Sequence, residues 1–179
     1  DEYPGWDVTE FVYWHEFLDT IALPLKDHQY AIDHAHSLGM DFITAPVSPE
    51  IVDLLEEMSG IDAYKLASMD LNNYQLLKHI GSKKFPVVLS TGMGEKSEII
   101  NAVKILKKSG TTKICVLHCV SIYPAPSELL SIKNILGLKK IFPDLPIGFS
   151  DHTIGSEFAI SAVALGASLI EKHLTLDKN

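Results

Sequence analysis

The chain has 179 residues, 46% of them hydrophobic and 21% charged, enough for one domain with a substantial core and too ordinary for a disordered or collagen-like chain. A formal net charge of −8 argues against nucleic acid or an anionic membrane as the main partner, while leaving room for a locally positive pocket. No apolar run reaches transmembrane length and no signal-peptide pattern opens the chain. The two cysteines, Cys115 and Cys119, share one apolar run at even spacing, as small core residues on one strand face in a reducing compartment do.

Residues 1–24 fit no regular alternation. Asp1 to Trp6 is turn-like, and Thr9 to Leu18 is an aromatic stretch compatible with a short helix inside a loop. From residue 25 onward helices and strands alternate. Lys26 to Leu38 has helical apolar spacing and is stopped by Gly39; Asp41 to Pro46 is a short strand. Ser48-Pro-Glu50 opens a helix through Met58, with serine as N-cap, proline in the first turn and acids near the positive helix end. Strands follow at Ala63–Ser68, Phe85–Thr91, Lys113–Cys119, Pro146–Ser150 and Ser168–Leu174. Helices lie between them at Asn72–Ile80, Glu95–Lys108, Leu130–Phe142 and Ser156–Leu165.

These strands are apolar nearly throughout, as parallel strands buried on both faces are. Regular alternation leaves a doubly wound open sheet or a (β/α)8 barrel. No Gly-x-Gly-x-x-Gly follows a strand, which removes support for a dinucleotide fold. Polar residues mark nearly every strand end: Thr44, Ser68, Ser90, His118, Ser150 with His152, and Glu171 with His173. Such a distribution favours a barrel, whose chemistry is spread around its C-terminal rim, over an open sheet with one switch point. Two successive strands end in a histidine beside a carboxylate, Asp151-His152 and Glu171 with His173. In a parallel architecture both imidazoles reach one rim, and two converging neutral imidazoles suit a divalent metal. Six strands cannot close an eight-stranded barrel. The first residue is Asp1 and the last strand runs into the end, so the chain is expected to be a segment of a longer protein.

Five motifs recur in order: Tyr64-Lys-Leu-Ala-Ser68, Leu89-Ser-Thr-Gly-Met93, Leu117-His-Cys119 with Ile122-Tyr-Pro124, Gly148-Phe-Ser-Asp-His-Thr153, and Ala164-Leu-Gly-Ala167 leading into Ile170-Glu-Lys-His173. Together, across residues 25–179, they resemble the sialic acid synthase family, the enzymes that make N-acetylneuraminate, legionaminate and related nonulosonates. The resemblance implies an α/β fold, a (β/α)8 TIM barrel followed by a small antifreeze-like domain. Residues 1–179 would then be a partial barrel covering about strands 3 to 8, without the first two strands or the C-terminal domain. It implies a cytoplasmic transferase that condenses phosphoenolpyruvate with an N-acylated hexose, N-acetylmannosamine or a 2,4-diacetamido-trideoxyhexose, and releases phosphate. The whole protein would be a homodimer with no membrane or nucleic-acid partner.

Carried over residue by residue, the resemblance makes His152 and His173 ligands of a divalent metal, Mn2+ or Mg2+, that polarises the sugar aldehyde. Lys65, Ser68, Ser90, Ser121 and Ser150 would bind phosphoenolpyruvate, and Asp70 and Tyr123 the sugar. Glu171 is the acid beside the metal, and Asp151 is expected to hold His152 in its ligating tautomer. Departures exist: Ser121 stands where the family often has Asn, Asp70 where it usually has Glu, and Ala45 where it often has Thr. The family's catalytic glutamate and a second anion-binding lysine belong to the first two strands, so these residues alone are expected to be inactive. The ending Thr175 to Asn179 resembles legionaminate-type members. Two alternatives stand beside this reading. A 3-deoxy-sugar-acid synthase acting on a phosphorylated sugar is disfavoured because the chain has no arginine for that phosphate. A degenerate, non-catalytic barrel module is favoured by Ser121 and Ala45 and opposed by His152, His173 and Lys65.

Overall fold

The structure, a computed structural model, describes residues 22–177. The described residues fall into two compact units, one ending at Met40 and the other beginning at Asp41. The expected helix at Thr9 to Leu18 lies outside the described residues. In the first unit, helix α1 (Leu25–Ser37) places Asp27 in its first turn and His34 and His36 in its last, each matched to the helix dipole. Gln29 Nε2 donates to Asp33 one turn on at 2.9 Å.

The second unit alternates strand and helix. In order it contains β1 (Ile43–Thr44), α2 (Pro49–Glu56), β2 (Ala63–Leu66), a 3-10 turn (Ser68–Asp70), α3 (Tyr74–Lys83), β3 (Val87–Ser90) and α4 (Lys96–Ser109). Then come β4 (Ile114–Cys119), a second 3-10 turn (Ser127–Leu129), α5 (Asn134–Ile141), β5 (Ile147–Asp151), α6 (Glu157–Ala164) and β6 (Ile170–Lys172). Local chemistry sets the helix starts. Ser48 caps α2 by accepting from Ile51 N–H, Asn73 caps α3 by accepting from Leu76 N–H at 3.2 Å, and the Glu98 carboxylate accepts from Glu95 N–H at 2.7 Å at the start of α4.

All six strands are parallel and lie in chain order. Their register sorts side chains into two faces, because neighbours at one level of a parallel ladder share a face. Tyr64, Val87 and Ile114 form one level facing the helices, and Leu66, Leu89, Val116 and Ile147 the next. All are buried, beneath helix residues such as Leu76, Ile80, Ala102, Leu106 and Ile135. Fully burying each large aliphatic or aromatic side chain contributes roughly 1.5–3 kcal/mol, and this layer is the main core. The opposite face carries Lys65, Val88 and Cys115 at one level, Ser90, Leu117 and Gly148 at the next, and Cys119, Ser150 and Glu171 at the last.

The sheet curls around that second face. Lys65 on β2 and Glu171 on β6 are four strands apart, roughly 19 Å in a flat sheet. Their charged atoms nevertheless stand 3.5 Å apart. The result is a six-stranded half-barrel with a narrow interior. Gly148 reflects that confinement: a Cβ there would lie 2.5 Å from both Leu117 Cδ2 and the Leu169 carbonyl oxygen. Among the described residues no helix is long and apolar enough to cross a membrane.

His118 belongs to the helix-facing side. It is 6% exposed, lies 5.7 Å from the Phe149 ring, and donates from Nε2 to the Leu130 carbonyl at 2.6 Å. Burial pushes its pKa below the ordinary histidine value, against the opposing pull of the Leu130 bond. Below about pH 6.5 the unfolded chain takes up a proton here that the folded chain resists. His118 therefore withdraws stability as pH falls through the unfolded value towards its lower folded one, and costs nothing above it. His118→Gln keeps a donor for Leu130 but does not titrate. The stability lead of the wild type over this variant, measured by urea denaturation, should be smaller at pH 5.5 than at pH 7.5.

Candidate active site

The C-terminal ends of β2 to β6 surround a cavity of about 210 Å3. Lys65, Ser68, Ser90, Ser121, Tyr123, Ser150, His152 and Glu171 all line it. Eight of the eleven residues singled out in the sequence thus converge on one pocket, although they come from five strands and the segments that follow them.

One cation and one carboxylate span the pocket. Lys65 Nζ donates to Ser90 Oγ at 2.8 Å and to its neighbour's carbonyl, Leu66 O, at 3.3 Å, and ion-pairs with Glu171 across the half-barrel. Lys65 is the one lysine in the lining, and its side chain is 15% exposed. A cation so enclosed between the Ser90 hydroxyl and the Leu66 carbonyl attracts an incoming anion more strongly than a surface lysine does. Glu171 also accepts from Ser150 Oγ at 2.6 Å.

His152 is oriented by backbone. Its Nδ1 stands 2.7 Å from the Val120 carbonyl, which can only accept, so Nδ1 carries the hydrogen and Nε2 keeps a lone pair. Burial, with the neighbouring His173, holds the imidazole below the ordinary histidine pKa despite the Val120 bond. Nε2 lies 3.0 Å from Ser150 Oγ. Ser150 has a single hydrogen for two acceptors, and donating it to Glu171 leaves the His152 Nε2 lone pair without a hydrogen from Ser150. The His173 ring centroid lies 5.5 Å from that of His152, and Tyr123 stacks 4.1 Å from His152 and 5.4 Å from His173.

The expected role of Asp151 is corrected. Its carboxylate does not touch His152; it turns to the other face of the sheet, where it pairs with Lys172 Nζ at 2.9 Å and accepts from Thr153 N and Oγ1 at 3.0 and 2.7 Å. Strand alternation is the reason: Ser150 and His152 point inward, so the residue between them points out. Burial alone would raise the Asp151 pKa, but the Lys172 ammonium and the Thr153 hydrogen bonds hold it below the usual carboxylate range. Asp70 is also outside the pocket lining. It is buried in its 3-10 turn with Asn73 Nδ2 3.4 Å from its carboxylate. His173 is exposed beside the pocket and meets it through the aromatic cluster.

The pocket also uses residues that sequence reading passed over. Cys119, Met69 and Met93 line it. Cys119, assigned to the core on its spacing, shares the level of Ser150 and Glu171, and its Sγ lies 3.4 Å from Ser68 Oγ. Cys115, four residues earlier on the same face, is half-buried, and desolvation pushes its thiol pKa up to about 11. The signal that could have moved Cys119 to the site is its place at a strand end two residues before Ser121. The Val120 carbonyl has no sequence signal, since any residue supplies one.

Gly92 is the junction of these loops. Its N–H donates to Ser68 Oγ at 2.9 Å, and a Cβ there would stand 2.6 Å from Ser121 Oγ, 2.7 Å from Cys119 Sγ and 2.9 Å from the Cys119 carbonyl. Two of these atoms are side-chain tips, but the third is backbone and cannot swing aside. Gly92→Ala is expected to cost about 1–3 kcal/mol in urea denaturation, the range for overpacking. An unchanged midpoint would contradict this geometry.

Comparison with known proteins agrees with the motif order. Residues 7–179 match the NeuB family. The chain is 42% identical over 166 residues to an uncharacterized protein of Methanocaldococcus jannaschii, covering 93% of this chain and 49% of that protein. It is 40% identical over 166 residues to the N,N'-diacetyllegionaminic acid synthase of Campylobacter jejuni, covering 92% and 49%. Among solved structures, the N-acetylneuraminic acid (sialic acid) synthetase of Leptospira borgpetersenii in complex with citrate superposes with a TM-score of 0.85 at 32% identity, covering 95% of this chain and 60% of that one. The chain spans about half the length of these curated relatives. Strand-end motifs in one register, the curled parallel sheet that carries them and a family match along almost the whole chain establish that it belongs to the NeuB family.

Proposed function

We propose that the protein is a synthase that condenses phosphoenolpyruvate with an N-acylated sugar to give a nonulosonic acid and inorganic phosphate. The observation that carries this reading is the convergence of Lys65 with the hydroxyls of Ser68, Ser90, Ser121 and Ser150 on one pocket, with Glu171 and a neutral His152 at its side. Phosphoenolpyruvate has a carboxylate and a phosphate on adjacent atoms. One ammonium and four short hydroxyls, spaced around a small cavity, can address both ends at once. In this reading the six strands are the third to eighth of an eight-stranded barrel.

The reaction joins the terminal enol carbon of phosphoenolpyruvate to the aldehyde carbon of the open-chain sugar. Water adds at the carbon bearing the phosphate ester, and the C–O bond to phosphate breaks. Lys65 and the serines hold the anionic partner and its departing phosphate. Tyr123, on the histidine side of the pocket, provides a wall for the sugar. Glu171, fixed by Ser150 and Lys65, offers a carboxylate that orients a hydroxyl or water near the forming bond.

A divalent cation fits beside these groups. With metal–nitrogen bonds of about 2.1 Å, two imidazoles on one ion have ring centroids roughly 5 Å apart, close to the 5.5 Å seen for His152 and His173. The lone pair of His152 Nε2 is the donor such an ion needs. Among the described residues no group of three His, Cys, Asp or Glu side chains forms a cage. Water, substrate or residues beyond those described would complete the coordination. Bound there, Mn2+ or Mg2+ supplies Lewis-acid polarisation of the aldehyde.

Binding calorimetry on the protein expressed from its complete gene tests the anion pocket. Phosphoenolpyruvate should bind more tightly than either pyruvate or inorganic phosphate, because each offers only one of the two charged ends. Equal affinity for all three would overturn the assignment of the pocket.

A further inference from the structure

We propose that Lys172 is a positioning residue: from the outer face of the sheet it clamps the segment carrying His152 to the strand carrying His173, and so sets the separation of the two imidazoles. The inference rests on reading those histidines as a metal pair. Lys172 lies between Glu171 and His173, yet its side chain does not enter the pocket.

The clamp follows from register. Asp151 and Lys172 are direct partners on adjacent parallel strands, and both face away from the half-barrel interior. Lys172 Nζ donates to Asp151 Oδ2 at 2.9 Å and to the Thr153 carbonyl at 2.8 Å. The same ammonium therefore holds the residue before His152 and the residue after it. Asp151 closes the loop from inside, its Oδ1 accepting from both the backbone N–H and the hydroxyl of Thr153. The Asp151 side chain is 0% exposed and that of Lys172 31%. An ion pair with one partner wholly buried and further hydrogen bonds on both partners is rigid in a way that an exposed surface pair is not. His152 and His173 are the residues that follow the ends of β5 and β6, His152 lining the pocket and His173 exposed beside it, so their spacing is inherited from a lock on the opposite face. His173 is exposed beside the pocket with its ring against Tyr123 and His152, and the Lys172 lock ties its strand to the segment that carries His152.

Lys172→Met keeps the aliphatic stem and removes the ammonium. Because it leaves Asp151 buried without its partner, the double variant Asp151→Asn/Lys172→Met is measured beside it, with Lys172→Arg as the conservative rescue. Each is made in the protein expressed from its complete gene. Two readouts are used: affinity for Mn2+ alone, by electron paramagnetic resonance, and amide hydrogen exchange of the metal-free protein. Lys172→Met should weaken Mn2+ binding roughly ten- to hundredfold, the usual effect of losing a group that supports a metal ligand. Exchange should accelerate in peptides covering residues 150–156 and not in those of α4. The double variant should melt like the wild type yet bind Mn2+ weakly, and Lys172→Arg should recover most of the affinity. Unchanged exchange around residue 152, or unchanged Mn2+ affinity in folded Lys172→Met, would overturn the clamp while leaving the metal pair standing. Equal Mn2+ binding by the wild type and His152→Ala would instead remove the metal pair, and the clamp's role with it.

Discussion

Lys65→Met should lower kcat/KM for phosphoenolpyruvate by roughly 100- to 1,000-fold without unfolding the protein. Charge-assisted hydrogen bonds in enclosed sites contribute about 1.5–3 kcal/mol, and preorganised groups facing developing charge about 2.7–4 kcal/mol. Lys65 is the one lysine lining the pocket, and the chain contains no arginine to take over its charge. The fold should survive because Glu171, the partner left behind, is 36% exposed and keeps its bond from Ser150. Lys65→Arg should rescue poorly, since a planar guanidinium cannot reproduce a point charge seated between Ser90 and the Leu66 carbonyl. Steady-state kinetics beside urea denaturation checks both halves of the expectation. A loss under tenfold would place the anion elsewhere.

His152→Ala should abolish measurable Mn2+ binding and reduce phosphate release by at least about 1,000-fold, more than His173→Ala does. Both histidines stand at the same rim, but they are held differently. His152 is buried and fixed by the Val120 carbonyl, so its lone pair is aimed before any ligand arrives. His173 is exposed, and its ring is placed by the Tyr123 and His152 contacts. Removing the preorganised ligand also strips Tyr123 of its stacking partner, so sugar affinity should fall with it. Mn2+ titration and turnover of the two variants under one set of conditions decides the order. A larger loss in His173→Ala would show that His152 is not the anchoring ligand.

Much of this was legible before any coordinates. Alternation of apolar runs with capped helices gave six parallel strands, and the polar residue at each strand end gave the rim, because a parallel sheet sends every C-terminal end the same way. Element boundaries were less legible. The expected helix Leu130–Phe142 forms only over Asn134–Ile141, after a 3-10 turn at Ser127–Leu129 and Ser131 at a φ of 40°. Nothing in Leu130-Ser-Ile-Lys133 announces a left-handed residue, and its apolar spacing imitates a helix. The strand expected over Ser168–Leu174 is regular only at Ile170–Lys172, although Ser168 N–H and the Leu169 carbonyl already bond to β5. Partner choice was the least legible of all. Asp151 and His152 are adjacent in sequence, which suggested a direct bond, but alternation sends them to opposite faces and gives Asp151 to Lys172 instead. Register likewise puts Cys119, buried as its spacing suggested, at the pocket wall beside Ser68. Lys65, by contrast, was readable as facing the half-barrel interior, because both of its neighbours are apolar and buried.

The central claim is that this pocket uses phosphoenolpyruvate to extend an N-acylated sugar. The most direct measurement is phosphate release from phosphoenolpyruvate by the protein expressed from its complete gene, with Mn2+, across a panel of N-acylated sugars. Release should require one of these sugars, stop on chelation of the metal, and collapse in Lys65→Met and His152→Ala. A folded protein that binds Mn2+ yet releases no phosphate with any N-acylated sugar, or releases it equally without one, would contradict it.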